Sequence, residues 1–175
     1  MYDYYLTSFI IVPHGITDLT KVSLQNIPLL IIIYLLSLIS CGGLHEIVQY
    51  GHVILFLISS VFHFSQDFRY LKMSRYLSLM NGCIVIFIPC ALFYYNYLIY
   101  AKNFMLFYMI FFHVPIHYIR IKATRRDLFI ILVTTFISGI FGPSILEDIE
   151  SNNIEGLNSV LGCGMVVGHI SWNII

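Results

Sequence analysis

Two histidines, His113 and His117, stand four residues apart in Phe111-Phe112-His113-Val114-Pro115-Ile116-His117-Tyr118, inside an apolar run. On a helix this spacing stacks both imidazoles on one face, one turn apart, so that they can share a metal ion. His14, His63 and His169 also lie in apolar stretches, where a buried imidazole costs free energy unless it is engaged. His14 heads His14-Gly15-Ile16-Thr17-Asp18 and His63 heads His63-Phe64-Ser65-Gln66-Asp67, each with a carboxylate one helical turn further on. Asp18 and Asp67 are therefore expected to accept the second ring N–H of a ligand histidine, fixing its tautomer and partly balancing the metal charge. Neutral imidazoles without a thiolate suit iron, copper or zinc. Four of them around six-coordinate Fe(II) leave two positions for dioxygen and a substrate, which is the layout of an oxygenase. The four cysteines form no C-x-x-C pair and read as small buried hydrophobes.

The elements that must position these residues are membrane helices. At 175 residues, the chain is 59% hydrophobic, 16% aromatic and only 10% charged, with a mean hydropathy of +0.86. That is too apolar for a water-soluble domain of this size. The expected fold is all-α, a polytopic membrane helix bundle in a single transmembrane domain over residues 1–175. Net charge is zero, so nothing draws the chain to nucleic acid. Seven spans are expected, at residues 4–19, 27–40, 44–64, 76–100, 103–121, 127–146 and 156–175, with Cys41-Gly42-Gly43 closing the second. The N-terminus has an acidic Asp3 and no A-x-A-like cleavage site, so the first apolar stretch is expected to be retained.

Loop charges set the orientation. Lys21, the group Arg69, Lys72 and Arg75, and the group Arg120, Lys122, Arg125 and Arg126 fall in alternate loops, the cytoplasmic ones by the positive-inside rule. The N-terminus is then outside and the C-terminus cytoplasmic, in a multi-pass protein expected in the cell membrane. At about 1.5 Å per residue, His14, His63, His113, His117 and His169 all fall within roughly 12 Å of the cytoplasmic end. His52 lies roughly 20 Å from that layer, and with His45 it is set apart from the site. Tyr108, Phe111, Phe112 and Tyr118 crowd the histidine pair, and Phe62 and Phe64 flank His63. These six aromatics are the expected walls of a channel for a flat, apolar, conjugated substrate.

Three motifs, in order, make the chain similar to the Brp/Blh-type β-carotene 15,15′-dioxygenases, a family of integral membrane enzymes. Pro13-His14-Gly15 with Asp18 resembles the family's P-H-G-x-x-D, Ser60-Val61-Phe62-His63-Phe64 its S-x-x-H-F, and Phe112-His113 through His117 its aromatic-H-x-x-x-H. Val167-Gly168-His169-Ile170 is similar to a C-terminal Pro-His, with Gly168 in place of the proline. Ser65 stands where the family has glycine, and Asp67 comes one residue early. The resemblance implies Fe(II) held by His14, His63, His113 and His117, with Asp18, Asp67 and His169 in supporting roles. It implies central cleavage of β-carotene, or a similar apolar polyene, with dioxygen to give two molecules of retinal. Retinal as product would link the chain to a retinal-binding rhodopsin.

Two other classes compete with this oxidoreductase. One is a non-catalytic membrane protein, a transporter or assembly subunit, that keeps a histidine metal site. The other is a haem-binding membrane protein with axial histidines. The chain lacks the charged intramembrane pairs of an ion-coupled carrier, and a Soret band would distinguish haem from non-haem iron.

Overall fold

The computed structural model describes residues 18, 20–48, 50–151 and 157–174. The expected first span, and with it His14, lies outside the described residues apart from Asp18. Among the described residues the chain is helical, with no strand. A 3-10 turn, Leu24–Asn26, leads into α1 (Ile27–Ile47), followed by α2 (Gly51–Tyr70), α3 (Arg75–Tyr94) and α4 (Leu98–Tyr108). A five-residue π turn, Met109–His113, joins α4 to α5 (Val114–Arg120), and α6 (Arg125–Ser151) and α7 (Leu157–Ile174) complete the order. Three segments, Leu24–Ile47, Arg75–Tyr94 and Leu98–Arg120, are long and apolar enough to cross a membrane. α1 shows what such a helix looks like. It buries Leu30, Ile33, Ser37 and Cys41 and exposes Ile32, Leu35, Leu36 and Ile39, so it is apolar all round, as suits lipid on the outer face.

The chain divides into two compact units, residues 57–123 and residues 1–56 with 124–175. In the second of these, α7 packs on α1 through a Gly-x-x-x-Gly stripe. A Cβ on Gly164 would stand 2.7 Å from Leu38 Cδ2, and one on Gly168 2.8 Å from Tyr34 Cδ1. Bare backbone is what lets the two helices approach. α6 begins with a reciprocal cap. The Asp127 carboxylate accepts from the Thr124 backbone N–H at 2.7 Å, while Thr124 Oγ1 accepts from the Asp127 N–H at 3.3 Å. Lys21 completes an ion pair with Asp127.

In the unit of residues 57–123, α2 and α3 cross at Gly82. A Cβ there would lie 2.4 Å from the Val61 carbonyl oxygen and 3.1 Å from Ser65 Cβ. The Ser65 backbone and Cβ therefore pack directly on the bare face of Gly82. Phe64, Val85, Ile86 and Tyr108 form the core beneath the crossing.

Several boundaries differ from expectation, for local reasons. The glycine pair does not end the second span: α1 runs through Gly42 and Gly43 to Ile47, and the chain turns at Val48–Tyr50. Glycine costs a helix only about 1 kcal/mol, and burial elsewhere on α1 outweighs that. The break expected near residues 101–102 comes at residues 95–97 instead. There Tyr97 N–H bonds Leu92 O at 2.7 Å and Asn96 N–H bonds Phe93 O at 3.0 Å, a Schellman closure with Asn96 at φ 63°. The same closure ends α2 on Lys72 (φ 63°) and α5 on Lys122 (φ 51°), where glycine is usual.

The π turn has a cause in the sequence. Pro115 has no N–H to give to residue 111, and its ring would press on that carbonyl. Widening the preceding turn relieves this, and Val114 N–H reaches back five residues to Met109 O.

Candidate metal centre

His63, His113, His117 and Asp67 come together in the unit of residues 57–123, and all are buried, at 3%, 1%, 0% and 0% exposure. α2 supplies His63 and Asp67; the rod of α4, the π turn and α5 supplies Tyr108, His113 and His117. His113 Nδ1 lies 2.7 Å from Asp67 Oδ2, and Tyr108 donates its hydroxyl to the same oxygen at 2.9 Å. With the carboxylate oxygen as acceptor, Nδ1 of His113 is the donor and Nε2 is the nitrogen left to face a ligand or a metal. That nitrogen faces Nε2 of His63 at 3.2 Å. Two imidazole nitrogens bound to one ion at roughly 2.1 Å and about 90–110° apart are separated by roughly 3.0–3.4 Å. The pair can therefore either share a hydrogen bond or clasp a cation.

The third histidine stands further back. Ring centroids of His63 and His113 are 4.8 Å apart, while His117 lies 6.1 Å from His113 and 6.3 Å from His63. Among the described residues no group of three His, Cys, Asp or Glu side chains is arranged to hold a metal ion. The buried charge of Asp67 is balanced from another side by Arg120, whose Nη1 stands 3.9 Å from Asp67 Oδ1 and whose Nη2 donates to Gln66 Oε1 at 2.6 Å.

Asp67 bonds a histidine, but not the one its position on α2 suggests. The expected partner was His63, on its own helix; the partner seen at Oδ2 is His113, on the neighbouring rod. The aromatic walls divide. Phe64 meets the His113 ring edge to face at 4.8 Å, Tyr108 stacks on His113 at 6.2 Å, Phe112 packs on Tyr108 at 5.3 Å, and Tyr118 meets His117 at 6.3 Å. Phe62 and Phe111 are 52% and 68% exposed and do not enclose the histidines, because the helical period turns them outward. Phe68, four residues beyond Phe64, was not anticipated: it packs on both Tyr108 and Phe112. Arg120 was missed too, although its three-residue offset from His117 is a helical one.

Residues 1–56 and 124–175 contain a second carboxylate and histidine of the same construction. His169 Nδ1 lies 2.9 Å from Asp18 Oδ2, Tyr34 donates its hydroxyl to that oxygen at 2.6 Å, and Asn173 Nδ2 donates to Asp18 Oδ1 at 3.1 Å. Asp18 and His169 are both buried. The spacing tied Asp18 to His14, which lies outside the described residues. Tyr34 and Asn173 were not anticipated, although Asn173 follows His169 at the i, i+4 offset. The chain matches no family model, no curated protein and no solved structure.

Proposed function

We propose that the chain is a non-haem Fe(II) dioxygenase that cleaves the central double bond of β-carotene, or a related carotenoid, with dioxygen to give retinal. The observation that carries this reading is the pairing of His63 and His113 across 3.2 Å, with Asp67 on the far nitrogen of His113. The carboxylate makes Nε2 a better electron donor and holds the ring in place. His63 and His113 would hold the ion, with His117 one helical turn further along and His14 as the fourth ligand. The iron, when bound, supplies the activation of dioxygen that scission of a carbon–carbon double bond requires.

The remaining work falls to the chain's own side chains. Asp67 accepts from Nδ1 of His113, and Tyr108 and Arg120 hold the carboxylate in place from two other directions. Phe64, Phe112, Tyr108 and Tyr118 offer ring faces and edges against which a polyene is positioned. Asp18 holds His169 in the same manner. The substrate enters from lipid, in keeping with three helices apolar enough to span a membrane. The protein is multi-pass in the cell membrane with seven spans, its N-terminus outside and its C-terminus cytoplasmic. Retinal made there would supply a retinal-binding rhodopsin.

A second reading is favoured by one observation, the absence of a third converging ligand among the described residues. It is a non-catalytic membrane protein in which His63 and His113 share a hydrogen bond. Expression in cells that accumulate β-carotene separates the two. Loss of orange colour with appearance of retinal is expected; full colour and no retinal, with insertion and iron supply verified, excludes carotene cleavage.

A further inference from the structure

His45 and His52, which the iron reading does not use, meet across the turn between α1 and α2. The turn is unusually tight. Val48 N–H closes α1 onto Leu44 O at 3.0 Å, Tyr50 takes φ 63°, and Gly51 N–H returns to Val48 O at 2.8 Å. A Cβ on Gly51 would stand 2.7 Å from Leu44 O, so the two helix ends approach to the limit that bare backbone permits. The result is a pair of imidazoles with Nδ1 atoms 3.3 Å apart and rings crossing at 78°. His52 is 2% exposed, whereas His45 is partly open to its surroundings.

A separation of 3.3 Å is long for an N–H hydrogen bond, which is usually roughly 2.7–3.2 Å. It falls within the roughly 3.0–3.4 Å expected of two nitrogens on one ion at tetrahedral to octahedral angles. We propose that His45 and His52 form a binding site for a divalent transition-metal ion of the zinc class. Imidazole nitrogens favour such borderline cations over calcium or magnesium. With two protein ligands the remaining positions belong to water, and the partly open side of His45 gives exchange a route. Cys41, one turn earlier on α1, is fully buried among Val160 and Val167 and contributes no ligand. The proposal stands independently of the iron reading, since it uses none of the same residues.

The test is a Zn2+ titration of the purified full chain in detergent, alongside His45→Ala and His52→Ala, each checked by circular dichroism for retained helix. Each variant is expected to bind one equivalent fewer than the unaltered chain; equal stoichiometry in all three overturns the site. A second measurement needs no variant. Carbethoxylation of His45 in the unaltered chain, mapped by mass spectrometry, is expected to slow at least about tenfold when Zn2+ is added, because a metal-bound nitrogen has no lone pair to offer the reagent. An unchanged rate overturns the proposal equally.

Discussion

Tyr108 and His113, five residues apart on one rod, both donate to a single oxygen of Asp67, at 2.9 and 2.7 Å. In a regular α-helix two residues five apart point roughly 140° away from each other. The π turn Met109–His113 removes most of that divergence, so the hydroxyl and the imidazole arrive from one side with their rings stacked at 20°. The carboxylate they share is the natural point at which to test the site.

Asp67→Asn is expected to weaken iron binding about 10–100-fold, the usual effect of removing the carboxylate behind a ligand histidine. Iron-to-protein ratio after dialysis against a graded chelator reads this directly. A ratio equal to that of the unaltered chain would show that His113 does not depend on Asp67 for binding.

The helix crossing under the site gives a stability prediction with its own control. Gly82→Ala places a methyl against the Val61 carbonyl and is expected to cost about 1–3 kcal/mol, seen as a lower unfolding midpoint in detergent. Gly43, also inside a helix, has nothing within 4 Å of an added Cβ. Gly43→Ala should therefore raise the midpoint slightly, by helix propensity of about 0.5–1 kcal/mol.

Asp127 makes acid stability predictable in sign. Hydrogen bonds from Lys21 and then from Thr124 hold its carboxyl down at about 2. A depressed folded-state pKa adds stability above the ordinary carboxylate range, and that stability is lost as pH falls through the folded value. Between about pH 4 and pH 2, the unaltered chain should lose more stability than Asp127→Asn does. Equal losses in parallel acid titrations of the two, followed by circular dichroism, would refute the assignment.

Lys72 closes α2 in the left-handed region, where a side chain costs about 1 kcal/mol or more relative to glycine. Lys72→Gly is expected to stabilise the chain by about that amount, offset in part by the greater freedom of glycine in the unfolded state. A lower midpoint would mean that the lysine makes a compensating contact.

What the sequence makes legible varies with the kind of signal. Composition identified apolar helices, and histidine and carboxylate types singled out His63, His113, His117, Asp67, Asp18 and His169, all of which lie in one or other of the two buried clusters. Partner choice was not legible, because an i, i+4 offset ties Asp67 to His63 while tertiary packing presents His113 instead. Helix ends, too, follow packing more than local residue type. Glycines 42 and 43 advertise a stop and do not make one, whereas Lys72 and Lys122 make stops that lysine does not advertise. Phe62 and Phe111 stand beside the histidines in sequence, but helical phase turns both away from them.

The π turn also means that the rod from Leu98 to Arg120 carries one residue more than a regular α-helix needs there. Deleting a single residue between Met109 and Phe112 would leave a helix long enough to span the same thickness, with Tyr108 and His113 four apart and about 40° from each other on a regular turn. Both would still face Asp67 from one side, and His113 and His117 would keep their mutual spacing. The widened turn thus absorbs the extra residue that Pro115 displaces, and the demands of spanning and of chemistry are met along one piece of chain.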